Sequence, residues 1–324
     1  MPDVGAAALP CTLAPRTPTS LGDLEGTLLG SGIALVGDRV FVGVNAPDVP
    51  LEGQIVGFSL STGARTIFRL GGNIPAQLTA RGEALFYSQG AIDNGYINYT
   101  HVARLDLQTG QVSLFDNPPD LATSMVQSVV GNANGDIFWV VSGRGTPQVL
   151  MGWDPSTDTA KTLLRAGGIA GLLADTATLY WMDDSRANGV AFLSMPVGGG
   201  PTSVVESFVS ISDWPSLLAV DDEHLYYTIL SDTPPGIMAM PKAGGAGKTI
   251  VPNAQPAIYA IDDTHIYWVN YGDYGEAIYR APKDGGDVET VWASRSRRVM
   301  DLAVDACNIY WTANNEVDIY ARAK

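Results

Sequence analysis

An aliphatic residue followed by two aromatic ones returns along the whole chain. It reads HIYW at 265–268, NIYW at 308–311, TLYW at 178–181 and HLYY at 224–227. Weaker copies are DRVFV at 38–42, EALFY at 83–87 and DIFWV at 136–140. Aligning Phe41, Phe86, Phe138, Tyr180, Tyr226, Tyr267 and Tyr310 gives spacings of 45, 52, 42, 46, 41 and 43 residues. A period in this range, present seven times, restricts the chain to architectures in which one supersecondary unit is stacked against its own copies.

The unit is legible in its sixth copy: AIYAID, HIYWVN, EAIYRAPK and VETVWAS, between 257 and 294. Each segment is short, rich in β-branched and aromatic residues, and bounded by Gly, Asp, Asn or Pro, which reads as four strands. The 36 glycines and 20 prolines suit many tight turns, and no segment has the length and period of a helix. Four strands per unit of 40–50 residues predict a β-propeller. The expectation is one all-β domain over 1–324, a seven-bladed propeller of four-stranded antiparallel blades. The expected blades are approximately 31–70, 76–116, 127–165, 169–207, 216–251, 257–293 and 299–324. VDIYARAK (317–324) aligns with EAIYRAPK (276–283), so the last blade lacks its outer strand. CTLAPRTP (11–18) aligns with TVWASRSR (290–297), an outer strand and its exit. The N-terminal segment, around 9–14, is therefore expected to complete the seventh blade and remove an exposed sheet edge.

The net charge of −15 repels phosphate backbones, which argues against a nucleic-acid partner. No run of 18 apolar residues is present, so no transmembrane helix is expected. The first twenty residues lack a basic region and a continuous apolar stretch, so they do not read as a signal peptide, which leaves either a cytoplasmic protein or one whose leader is absent from this sequence. Cys11 and Cys307, the two cysteines, can form one disulfide in an oxidising compartment or remain two buried thiols.

IYWVN…AIYRAPKDGGDVETV, NIYWTA and TLYWMD resemble the YWTD repeat of low-density-lipoprotein-receptor-type propellers. VDACNIYW, IDDTHIYW and VDDEHLYY are similar to the strand and turn that precede that repeat. The chain also resembles secreted bacterial propellers, of myxobacterial type, with VD…YW…PxGG units. The likeness is good over 170–324 and loose over 31–165. It implies the propeller fold and, for the bacterial group, a secreted or periplasmic location. There are departures: YWTD propellers have six blades, the motif aspartate survives only as Asp183, and Asn270 and Ala313 replace it elsewhere. Receptor-type ligand binding is therefore not carried over.

His224 and His265 occupy one repeat position, held by Thr178 and Asn308 in other copies. Asp175, Asp221, Asp262 and Asp305 each stand five residues before their tyrosine. Residues that recur or interchange by repeat position read as turn residues bonding local backbone N–H groups. His101 stands alone in the third strand of the second unit and reads as a packed or surface histidine. Trp139, Trp181, Trp268 and Trp311 share a position that fills the space between blades. There is no G-x-S-x-G elbow, H-E-x-x-H, P-loop or EF-hand pattern, and NANGD (132–136) and DNGYIN (93–98) read as turns rather than calcium loops. No cofactor is expected.

Function is then expected where the repeats diverge, in the loops from second to third strand and the links between blades. These loops bring Tyr96, Asp183, Asp184, Arg186, Trp214, Asp232, Tyr271, Asp273 and Tyr274 to the channel mouth. The insertion at 90–98 is a candidate lid. Aromatic and acidic groups around a concavity suit a polar small molecule, a sugar or a protein, bound by a monomer. The competing reading is a lyase, cyclase or lactonase-like hydrolase using the same carboxylates and tyrosines as acid/base groups.

Overall fold

The computed structural model describes residues 18–24, 32–45, 52–93, 96–122, 124–143, 145–185, 189–208, 214–230, 235–270, 277–313 and 318–324; for 23, 92–93, 96, 214 and 230 it describes the backbone only. Strand β1 (Thr19–Asp23) comes first, ahead of blade one. Blade one is β2 (Ile33–Val36), β3 (Arg39–Asn45), β4 (Gly53–Ser59) and β5 (Arg65–Arg69). Blade two is β6 (Ile74–Arg81), β7 (Ala84–Asp93), β8 (Tyr96–Asp106) and β9 (Val112–Phe115). Blade three is β10 (Met125–Gly131), β11 (Ile137–Ser142), β12 (Gln148–Asp154) and β13 (Thr159–Ala166). Blade four is β14 (Ala170–Ala174), β15 (Thr178–Asp183), β16 (Val190–Pro196) and β17 (Ser203–Phe208). Blade five is β18 (Trp214–Val220), β19 (His224–Leu230), β20 (Gly236–Pro241) and β21 (Lys248–Pro252). Blade six is β22 (Pro256–Ile261), β23 (His265–Asn270), β24 (Ala277–Pro282) and β25 (Glu289–Ala293). Blade seven is β26 (Val299–Val304), β27 (Asn308–Ala313) and β28 (Asp318–Ala323), completed by β1.

All seven sheets are four-stranded and antiparallel, and the only helical element described is a single 3-10 turn at Pro119–Leu121. The chain end and the chain start meet in one sheet, with Thr19 opposite Ala321 and Asp23 opposite Asp318. The ring is thus closed by an N-terminal strand, but that strand is 19–23. The segment 9–14 lies outside the described residues. Pro10, Pro15 and Pro18 interrupt the earlier stretch, and each lacks a backbone donor, whereas Thr19 to Asp23 has every N–H available for a ladder. Gly22 makes the pairing possible: its φ is +150°, and a Cβ there would sit 2.6 Å from the Phe58 ring.

The repeated aromatic pair has a physical reason. Successive strand residues point to opposite faces, so the two rings pack against two different neighbours. Tyr267 joins a core cluster with Val299, Leu302 and Trp311 of blade seven, while Trp268 joins one with Tyr226, Ile237 and Ile250 of blade five. Tyr310 likewise packs on Val40, Val42 and Val56 of blade one, and Trp311 on blade six. One dipeptide therefore welds a blade to both neighbours, which is why it recurs.

The turns between first and second strands are held by a second repeated device. Asp175, Asp221, Asp262 and Asp305 each accept, at Oδ1, the N–H groups two and three residues on. Their Oδ2 atoms take the hydroxyls of Tyr180, Tyr226, Tyr267 and Tyr310. Three of them also pair with a lysine of the next blade: Lys242 to Asp175 at 2.7 Å, Lys283 to Asp221 at 2.7 Å and Lys324 to Asp262 at 2.6 Å. The position corresponding to these lysines in blade one is Leu60, whose N–H donates to the Asp38 carbonyl as the lysine N–H groups donate to theirs, so the lysine series stops at blade seven.

Burial opposes ionisation of Asp221, but the Lys283 ammonium, the N–H groups of His224 and Glu223 and the Tyr226 hydroxyl outweigh it and pull its pKa to about 2 from 3.8. A depressed folded pKa contributes stability that is present above the unfolded value and lost as pH falls through the folded one. Asp221 alone should therefore withdraw about 2 kcal/mol between roughly pH 4 and pH 2. In an urea titration series across that range, Asp221→Asn should flatten this part of the acid limb; an unchanged limb would show that the bridge does not stabilise the fold.

Candidate functional site in the central channel

The innermost strands of the blades, β2, β6, β10, β14, β18, β22 and β26, enclose the channel. The turns between first and second strands lie at one end of it, and the second-to-third-strand loops and blade links lie at the other. Most of the residues expected at that second end fall outside the described set: Arg186, Asp232, Tyr271, Asp273 and Tyr274. Tyr96 begins β8 opposite Asp93, and Trp214 begins β18 opposite Leu230, which puts both backbones at that end. Asp183 ends β15, and its Oδ1 takes the N–H and hydroxyl of Ser185 at 3.1 and 2.6 Å. Asp184 is exposed and lies over the blade link, where a Cβ on Gly168 would come within 2.3 Å of its Oδ1. The two aspartates are thus placed beside one another on the link side of blade four.

Either side of residues 94–95, which lie outside the described residues, the insertion at 90–98 continues the hairpin. Strands β7 and β8 remain paired out to Ala91–Asn98, Ile92–Ile97 and Asp93–Tyr96. The NANGD stretch is a turn, with Asn132 Oδ1 taking the Asp136 N–H at 2.9 Å. His101 Nδ1 shares a hydrogen bond with the Thr100 hydroxyl at 2.9 Å. Among the described residues, no three His, Cys, Asp or Glu side chains are grouped to hold a metal ion, and no helix is long and apolar enough to cross a membrane.

The channel wall itself carries polar groups that sequence periodicity did not single out. Asp301 on β26 is the sole carboxylate on the seven inner strands. It pairs with Thr312, and the matching positions of blades two to six are Ala76, Ser128, Ala170, Ser216 and Ile258, all small or apolar. The aspartate is therefore a departure from the repeat, and an alignment of inner strands alone would have exposed it. Burial raises its pKa to about 6, against the opposing pull of the Leu302 and Ile33 N–H groups that its carboxylate accepts. The Ile33 contact crosses from blade seven to blade one, at the ring closure. Facing it across the ladder, the Thr312 hydroxyl is buried and has no hydrogen-bond partner among the described residues.

A raised folded pKa acts in the opposite sense to that of Asp221. Its stabilising effect is complete below the unfolded value of 3.8 and is lost as pH rises through about 6. The wild-type protein should lose about 3 kcal/mol from this one group between roughly pH 4 and pH 7. Asp301→Asn should abolish that slope in thermal melts; if the slope persists, the carboxyl is not the titrating group.

Two and three blades round the ring from Asp301, β6 and β10 carry bulges. The ladder of blade two skips Gln77 and Leu78, as that of blade four skips Gly171 and Leu172. Blade three skips Gln127. Bulges re-aim side chains, and here Gln77 and Gln127 are exposed although they lie on innermost strands, so they face the channel. Gln77 Nε2 donates to the Gln127 carbonyl at 2.8 Å, and Gln148 Nε2 donates to Gln127 Oε1 at 3.1 Å. Met125, at the start of β10, is 44% exposed beside them.

A separate cleft of about 1200 Å³ opens on the other end of the ring, between blades five and six. Asp222, Glu223, His224, Asp263, His265 and Asp284 line it. Its floor is the Asp221–Lys283 bridge, and its histidines and aspartates recur by repeat position. Asp221 and Asp262, at its base, are committed to turns and to their lysines. The channel residues are the ones the repeat does not explain, and the candidate site is placed there.

No known protein family matches the chain, and no curated protein is significantly similar to it. Solved structures share its fold. An oligogalacturonate lyase from Vibrio parahaemolyticus superposes with a TM-score of 0.68 at 10% identity, covering 94% of this chain and 93% of that one. A catalytically inactive variant of virginiamycin B lyase from Staphylococcus aureus, solved with quinupristin, gives 0.67 at 15% identity, covering 95% and 99%. The β-propeller domain of the trilobed protease from Pyrococcus furiosus gives 0.67 at 12%, covering 90% and 94%, and is described as having an open velcro topology. The present ring differs from that description, since β1 and β28 close it in one sheet. At these identities the likeness shows the propeller fold alone.

Proposed function

We propose that this chain is a ligand-binding propeller, acting as a monomer, that holds a polar small molecule, sugar or protein segment at the link end of its central channel. The observation that carries the reading is the division of labour along the channel axis. Residues that recur by repeat position, the Asp–Tyr–Lys bridges and the Tyr–Trp pairs, are used up in joining blades. Residues that break the repeat, Gln77, Gln127 and Asp301, line the channel, and the divergent loops with Tyr96, Asp183, Asp184, Arg186, Trp214, Asp232, Tyr271, Asp273 and Tyr274 are assigned to its mouth. Trp214→Ala and Tyr271→Ala should each weaken ligand binding at least tenfold by calorimetry with little change in melting temperature, while Asp263→Asn, at the other end, should leave binding intact. The reverse pattern would move the site to the acidic cleft.

A second reading is favoured by Asp301. A carboxyl that titrates near neutral pH in a channel wall is suited to general acid/base work, and two of the fold neighbours are lyases. Turnover abolished by Asp301→Asn, with binding retained, would establish the enzyme. The proposed location is secreted or periplasmic, as in the bacterial propellers the repeats resemble, with a Cys11–Cys307 bond. Cys307 lies in the turn before β27 and is disulfide-bonded, and Cys11 lies outside the described residues. Intact mass should rise by two hydrogens on reduction.

A further inference from the structure

Gln77 occupies a backbone position that suits glycine. Its φ is +53°, and the matching bulge residue of blade four is Gly171 at +61°. A side chain in this left-handed region costs roughly 1 kcal/mol. Blade two nevertheless carries a long polar side chain there, aimed into the channel. Such strain on an inner strand is maintained most readily where the side chain has a use.

The hydrogen bonds around it define what that use can be. Gln77 Nε2 gives one hydrogen to the Gln127 carbonyl, Gln148 Nε2 gives one to Gln127 Oε1, and Gln148 Oε1 takes the Ile169 N–H. This relay fixes which way each amide points. Among the described residues, two donors on Gln127 Nε2 remain, and so do the acceptor Oε1 and one donor on Gln77. Donor and acceptor thus stand side by side on neighbouring strands, with Met125 as an apolar flank. No charged side chain belongs to the relay, so an ion placed on it would lose hydration without a countercharge. The protein's charge of −15 also opposes anions.

We propose that Gln77 and Gln127 contact the ligand directly and select a neutral amide: the ligand carbonyl accepts from Gln127 Nε2, its N–H donates to Gln77 Oε1, and Met125 covers an apolar substituent. This rests on the channel-binding reading above and names its ligand class. Sugar hydroxyls would also meet these groups, but they do not require a donor and an acceptor in fixed order.

The test uses the full chain with two probes, N-acetyl-Leu-Leu-amide and maltotriose, followed by saturation-transfer NMR and calorimetry. The wild-type protein should bind the amide. Gln127→Leu should weaken it at least tenfold. Gln77→Gly should weaken it similarly while the melting temperature stays the same or rises, because the strain is relieved as the side chain is lost; a merely structural glutamine would lower the melting temperature and leave affinity alone. Amide binding that both variants retain would overturn the glutamine assignment and leave the channel reading standing. Glutamine-dependent binding of maltotriose without the amide would overturn the ligand class. Binding of neither probe would overturn the amide assignment; if Trp214→Ala and Tyr271→Ala also leave the protein's response to a wider polar panel unchanged, the channel reading falls separately.

Discussion

Removing residues 1–24 should cost the propeller its cooperative melt. Strand β1 covers the hydrogen-bonding edge of β28 from Thr19 to Asp23, and Leu24 just after it is fully buried. Leu24 belongs to the core cluster that joins Ile319, Ala321 and Tyr310 of blade seven to Val40, Val42, Val56 and Phe58 of blade one. Without the segment, β28 becomes an apolar edge and the seam between first and last blades loses its outer wall. The truncated chain should bind a hydrophobic dye and aggregate on heating. Leu24→Ala, which keeps the strand and Cys11, should cost about 2–5 kcal/mol in denaturant unfolding. A truncation that melts as sharply as the full chain would mean that the ring does not depend on its closure.

The second large effect is expected at the inter-blade tryptophans. Trp311 is fully buried, stacked on Tyr320 at 5.6 Å and tilted against Trp292 at 5.7 Å. Trp311→Ala should cost about 3–5 kcal/mol, because the cavity lies between rigid sheets that cannot collapse into it. Phenylalanine discriminates further. Trp268 Nε1 donates to Asn270 Oδ1 at 3.1 Å, whereas Trp311 Nε1 is buried without a partner among the described residues. Trp268→Phe breaks a hydrogen bond and Trp311→Phe removes an unsatisfied donor, so the first should cost more than the second by about 1 kcal/mol. Equal losses would show that ring volume alone sets stability at this position.

These two cases mark what the sequence could convey. The Tyr–Trp dipeptide and the turn aspartates recur at fixed offsets, so their roles could be read by aligning the chain with itself. The closing strand could be inferred from the missing fourth segment of blade seven, but its position could not: CTLAPRTP matches an outer strand by residue type, and the pairing observed begins only past Pro18. Asp301 was within reach, since its five counterparts in blades two to six of an inner-strand alignment are small or apolar. Gln77 was not. Its significance lies in a two-residue register shift and a left-handed φ, neither of which leaves a periodic trace. The form of the insertion at 90–98 was not legible either, because a two-strand extension and a loop insertion add the same number of residues. The mouth loops carry no repeat at all, which made them candidates and withheld any further detail.

The central claim is that repeated residues build the ring and unrepeated ones, inside the channel, bind the ligand. The most direct measurement is a crystal structure of the full chain soaked with N-acetyl-Leu-Leu-amide. Ligand density should lie in the channel against β6 and β10, within hydrogen-bonding distance of Gln77 and Gln127. Density instead in the acidic cleft between blades five and six, over Asp222 and Asp263, would contradict the account.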